Sequence, residues 1–118
     1  MPGYHEPIDD LSTNTLDFSR ALNSLKEEIE AVDWYQQRVD ATKDEKLAAI
    51  LAHNRDEEIE HASMVIEWLR RNMPAWDKHL RTYLFKEEDI VELEHEDEND
   101  EGDNISEGMS DLGIRKIK

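Results

Sequence analysis

Glu58 and His61 place a carboxylate and an imidazole three residues apart, inside the run Asn54-Arg55-Asp56-Glu57-Glu58-Ile59-Glu60-His61. On a helix, positions i and i+3 are surface neighbours, so both side chains can reach one point. An oxygen ligand beside a borderline nitrogen ligand suits iron or another first-row divalent metal better than calcium. Glu-x-x-His alone is a weak signal, since acid-rich helices produce it by chance. Its surroundings strengthen it. At about 100° per residue, Leu47, Leu51, Ala62, Val65 and Leu69 fall within roughly 40° of Glu58. The carboxylate thus rises from the middle of an apolar stripe. Burying a lone carboxylate costs several kcal/mol, so it must be neutralised, paired or metal-bound.

Part of that motif occurs earlier in the chain. Glu27-Glu28-Ile29-Glu30 matches Glu57-Glu58-Ile59-Glu60, and Glu28 lies on one helix side with Leu25, Val32, Tyr35 and Val39. One chain therefore offers Glu28 from one helix and Glu58 plus His61 from another. Two readings fit. The three can form a hydrogen-bonded cluster, with or without Arg55, that only fixes helix register. They can also be half of a di-iron carboxylate site, which takes a Glu from each of two helices and a Glu-x-x-His from each of two others. A two-fold dimer supplies the missing half, and four carboxylates then balance the charge of two Fe²⁺ ions shared by two subunits. Without metal those carboxylates repel one another.

The remaining polar groups carry plainer readings. Tyr35 lies one heptad beyond Glu28, where it either hydrogen-bonds a ligand or packs. Glu27, Glu30 and Trp34 share a face about 100° or more from Glu28. That face is either a solvated acidic surface or, mirrored across a dimer, a cation-collecting patch. His53 falls about 140° from Glu58 and is expected on the surface. His5, His79 and His95 lack ligand-like companions, and Trp34, Trp68 and Trp76 are expected to pack.

Two long helices must position these groups. Ser12, Thr13 or Asn14 can cap the first, expected over residues 13–40. Phe18, Leu22, Leu25, Ile29, Val32, Gln36 and Val39 follow heptad-like spacings of four and three, with Gln36 the only polar member. The polar stretch Asp40-Ala41-Thr42-Lys43-Asp44 is too short to do other than fold the second helix back antiparallel. That helix is expected over residues 44–72, with Pro74 ending it and opening a short third helix. The third helix carries Trp76, Leu80, Tyr83 and Leu84 on its apolar side. The expected fold class is all-α: an antiparallel two-helix hairpin plus a short third helix, half of a four-helix bundle completed by dimerisation.

Composition bounds the rest. The chain has 118 residues and a formal net charge of −16. Residues 1–85 hold 17 acidic and 10 basic side chains, a balance of −7, and residues 86–118 hold 13 and 4, a balance of −9. Residues 1–85 are expected to form the helical domain, and an assembly this small is expected to need a partner chain. Residues 86–110 read as an acidic disordered linker in which only Ile90-Val91-Glu92-Leu93 prolongs a helix. Residues 111–118 join Leu112, Ile114 and Ile117 to a basic end, as a tethered docking peptide does; the plainer alternative is a frayed terminus. An acidic surface disfavours nucleic acid and anionic membranes as partners. With no cysteine, thiolate metal sites and disulfides are excluded and a reducing compartment is expected. There is no apolar run of membrane-spanning length, and Met1-Pro2-Gly3-Tyr4-His5-Glu6 lacks signal-peptide features. A cytoplasmic protein is expected.

The stretches Glu27-Glu28-Ile29-Glu30-Ala31-Val32-Asp33-Trp34-Tyr35, Ile50-Leu51-Ala52-His53-Asn54-Arg55-Asp56-Glu57-Glu58 and Glu60-His61-Ala62 together resemble the encapsulated ferritins. So do Glu67-Trp68-Leu69-Arg70-Arg71 and His79-Leu80-Arg81-Thr82-Tyr83-Leu84-Phe85, so that the likeness covers roughly residues 6–86. Separately, Asp111-Leu112-Gly113-Ile114-Arg115-Lys116 resembles an encapsulin cargo-loading peptide. The resemblance implies a ferroxidase centre formed between two chains, with Glu28, Glu58 and His61 as ligands and Tyr35 close by. It implies a metal entry site at Glu27 and Glu30, beside Trp34. It implies dimers assembled into an open ring, typically a decamer, inside an encapsulin nanocompartment whose lumen stores the oxidised iron. The function expected on these grounds is oxidation of Fe(II) by O₂. The competing expectations are a non-enzymatic helical adaptor with an acidic tail and a metal carrier.

Overall fold

A computed structural model of the chain describes residues 3–103, with side chains described to residue 97. The expected docking peptide at 111–118, and residues 104–110 of the expected linker, lie outside the described residues. Helix α1 spans Thr13–Ala41, α2 Glu45–Asn72, α3 Pro74–Tyr83 and α4 Ile90–Asp103, preceded by a single 3₁₀ turn at Ile8–Asp10. There is no strand among the described residues, so the all-α expectation holds. No described helix is long and apolar enough to cross a membrane. The chain divides into two compact units between Leu69 and Arg70.

The helix ends follow from local chemistry. The Thr15 N–H donates to Ser12 Oγ at 3.1 Å, which satisfies one of the orphan amides at the start of α1. The Lys46 and Leu47 N–H groups donate to Asp44 Oδ1 at 2.9 and 3.1 Å and do the same for α2. Pro74 sits in the first turn of α3, where its missing N–H costs nothing.

In the first unit, α1 and α2 run antiparallel, joined by residues 42–44. Among its described residues, Leu25, Ala62 and Leu69 are the buried ones. Phe18 meets Trp68 edge to face, with ring centroids 6.1 Å apart. Leu47, expected within the buried stripe, is exposed, as are Ile29, Ile50, Ile59 and Met64. Two helices of 29 and 28 residues share a thin line of contact and leave apolar surface on their outer faces. Trp34, expected to pack, is about half exposed, with no cross-helix ring contact. A single hairpin cannot surround a ring on its outer face.

The second unit corrects the expectation for the acidic stretch. Residues 90–103 are helical where a disordered linker was expected beyond Leu93. Three interactions hold α4. The Glu92 N–H donates to Asp89 Oδ2 at 3.2 Å, Leu93 is 4% exposed, and Thr82 Oγ1 donates to Asp97 Oδ1 at 3.1 Å from α3. Glutamate is also a good helix former, so charge repulsion along the stretch competes with favourable propensity. Phe85, at the turn that follows α3, has φ 60° and a fully exposed ring.

Asp77 on α3 ties this unit together. It accepts from Arg70 Nη1 and, at 2.9 Å, from Arg81 Nε. These guanidinium groups, Arg70 foremost, hold the Asp77 carboxyl below its ordinary value. An unfolded Asp77 therefore binds a proton at a higher pH than the folded one. Its contribution to stability is complete above the unfolded value of about 3.9 and is lost as pH falls through the lower folded value. Thermal denaturation of wild type and Asp77→Asn should show the wild type more stable at neutral pH. The difference should shrink steadily below about pH 4.

Candidate metal centre

The antiparallel register places Glu28 on α1 opposite the Glu58–His61 turn of α2. His61 Nδ1 lies 3.3 Å from Glu58 Oε1 and 3.5 Å from Glu28 Oε2. One ligand atom from each of the three residues lies within 4.8 Å of the others. They form the one group of three or more His, Asp and Glu side chains among the described residues with that geometry.

Burial within the cluster is uneven. The Glu28 and Glu58 side chains are 24% and 23% exposed, while His61 is 42% exposed. The imidazole stands on the open side. Glu28 Oε2 is shut off from solvent and has no hydrogen-bond partner. A buried acceptor without a donor is destabilising, and a cation placed between the two carboxylates and the imidazole would satisfy it. The neighbouring Glu58 carboxylate pushes the Glu28 carboxyl above its ordinary value. Loss of hydration adds to the rise and His61 opposes it. The donor set of two carboxylates and one imidazole fits iron or another first-row divalent ion.

The reading of these residues as a purely structural cluster allowed for Arg55 as a further member. In the structure Arg55 points elsewhere: Nη1 donates to Gln36 Oε1 at 2.6 Å, and Nε and Nη2 reach Asp56 Oδ1 at 3.0 Å. The cluster is left with two acidic groups, one imidazole and no guanidinium.

Tyr35 is half-buried on α1. The Arg38 guanidinium stacks over its ring at 5.3 Å, and its hydroxyl makes no hydrogen bond to the cluster. Glu27, Glu30 and Trp34 lie on the exposed face of α1 and are not brought together with the three. His53 is exposed, as expected, with Nε2 3.4 Å from Glu57 Oε1. The contact that residue spacing did not reveal is Gln36–Arg55. Its only advance signal was the single polar position in the heptad seam.

A helical hairpin presenting two carboxylates and an imidazole across its seam could hold a metal ion, as a ferritin-like site would. The chain belongs to the EncFtn-like family, whose model matches residues 3–87. It is 60% identical over 114 residues to a ferritin-like protein of Thermotoga maritima, covering 97% of this chain and 96% of that one. It is 51% identical over 121 residues to an encapsulated ferritin-like protein of Rhodospirillum rubrum, covering 97% and 86%. A Myxococcus xanthus protein described as the encapsulin nanocompartment cargo protein EncC is 32% identical over 84 residues, covering 70% and 64%. Among solved structures, protein ne0167 of Nitrosomonas europaea superposes with a TM-score of 0.72 at 60% identity, covering 75% of this chain and 97% of that one.

Metal should stabilise this arrangement by satisfying Glu28 Oε2 and cancelling the carboxylate repulsion. Anaerobic Fe²⁺ at about 100 times its dissociation constant should add roughly 2.7 kcal/mol, seen as a raised thermal midpoint. Glu58→Ala should lose that increment.

Proposed function

We propose that the protein is a ferroxidase, oxidising Fe(II) to Fe(III) with O₂ at a di-iron centre formed between two subunits. Ferrous iron is the substrate, and O₂ accepts its electrons. The observation that carries the reading is the buried Oε2 of Glu28, which makes no hydrogen bond and faces Glu58 and His61 across the hairpin seam. Family membership supports it.

In this reading Glu28, Glu58 and His61 are the ligands, and a second copy related by a two-fold axis supplies the same three. The exposed side of His61 and exposed apolar side chains of α2, Ile50 and Met64 among them, are the surfaces that the second chain covers. Four carboxylates offset the charge of two Fe²⁺ ions, and hard oxygen ligands favour the ferric state. The protein contributes ligand geometry and charge compensation, while the electron transfer belongs to iron. Tyr35 stands one heptad from Glu28 as a candidate neighbour of the centre. Glu27 and Glu30, next to Trp34, are candidate entry ligands on the solvent face.

The dimer is the unit of a ring-shaped decamer in this proposal. Residues 111–118 dock the ring to an encapsulin shell in the cytoplasm, which holds the mineralised product. The cargo description of the Myxococcus xanthus relative favours that partner.

The test is to load the anaerobic protein with Fe²⁺, admit air and follow O₂ consumption. Wild type should consume O₂ over repeated additions, whereas Glu58→Ala and His61→Ala should lose fast oxidation and keep their helical circular dichroism. Binding without turnover would make the protein a carrier, and absence of binding an adaptor. Removal of residues 111–118 should abolish co-purification with a co-expressed shell and leave the oxidation rate unchanged.

A further inference from the structure

The three ligands lie beyond the hairpin loop, and something must hold the two helices in register there. Residues 42–44 fix one end of the pair. From there to the cluster, the seam is closed by apolar side chains that are only half-buried, Val32, Val39 and Leu51 among them; the fully buried Leu25 and Ala62 lie on the cluster's own stretch or past it. Glu28 and Glu58 meanwhile repel each other whenever both are ionised. The metal-free hairpin is therefore pushed apart at the position where it needs to be closed.

One polar bond crosses the seam between the loop and the cluster. Arg55 Nη1 donates to Gln36 Oε1 at 2.6 Å, linking residues 19 positions apart in sequence. Asp56 anchors the other edge of the same guanidinium through Nε and Nη2 at 3.0 Å, so the arginine is held on both sides. Arg55 precedes Glu58 by less than one helical turn. Gln36 follows Glu28 by eight residues, or about 12 Å along α1. A single polar pair in an otherwise apolar seam is a known device for fixing register.

We propose that Gln36 and Arg55 are positioning residues that hold Glu28 against Glu58 and His61 before metal arrives. The inference rests on the reading of that cluster as a metal centre. Neither residue touches the ion. Their bond keeps the ligands arranged against carboxylate repulsion, so that the binding energy of the metal is not spent on closing the hairpin.

Anaerobic Co²⁺ titration of the full-length protein, followed by ligand-field absorption, tests this. Gln36→Leu changes an exposed side chain and leaves the net charge at −16, so it separates positioning from bulk electrostatics. Gln36→Leu and Arg55→Met should each weaken Co²⁺ binding about tenfold and alter the ligand-field bands. The double variant should be no weaker than either single one, as expected for two residues acting through one bond. A bond that served the fold alone would lower the melting temperature and leave Co²⁺ affinity and spectrum at 25 °C as in wild type; that result overturns the proposal. Glu58→Ala is the control. If it titrates like wild type, the metal-centre reading fails and the positioning role fails with it. If it abolishes binding while Gln36→Leu binds as wild type does, the positioning role alone is refuted.

Discussion

Two acidic side chains facing each other across a thin helical seam are the constraint on which this structure turns. Glu28 and Glu58 sit on different helices with ligand atoms inside a 4.8 Å cluster. Two like charges about 5 Å apart, at an effective dielectric near 20, repel by roughly 3 kcal/mol. Water reaches about a quarter of each side chain and lowers that figure. The repulsion is still large beside what a two-helix unit with few buried apolar groups can supply. His61 offsets part of it, and the raised Glu28 carboxyl shows that the compensation is incomplete. The metal-free hairpin is thus an unfinished object in two respects: its carboxylates lack a counter-charge, and its outer apolar faces lack a cover.

In the proposed dimer, a second copy of the hairpin would meet both needs at one surface. The same two-fold contact would cover exposed apolar side chains such as Met64 and double the ligand set. A small chain would then build a site that a larger ferritin-like bundle makes within one polypeptide. Such a centre would couple assembly to iron, because only the paired state would have all the ligands.

Much of the site was legible in the residues themselves. The three-residue spacing of Glu58 and His61, and the place of Glu28 among Leu25, Val32 and Val39, put the three cluster residues on facing helix sides. The starts of α1 and α3 followed from Ser12 and Pro74, which act within one turn; the cap that Asp44 gives α2 is seen only in the structure. What else was not legible depended on longer range. The helicity of α4 needed Leu93 buried and Asp97 bound to Thr82, contacts that a count of acidic charges does not contain. Arg55 lies three residues from Glu58 and so looked like a member of the cluster. Its long side chain instead crosses to Gln36, and spacing along one helix cannot show that. Trp34 looked like core because tryptophan usually packs, yet a lone hairpin has nothing on that face to cover it.

The central claim is that the three ligands of one chain are half of a shared centre. Native mass spectrometry during anaerobic Fe²⁺ titration measures this directly. The account predicts that ions enter in pairs, two for every two chains, and that the paired assembly gains at the expense of smaller species. Iron bound singly to isolated chains, with an assembly state indifferent to its presence, would contradict it.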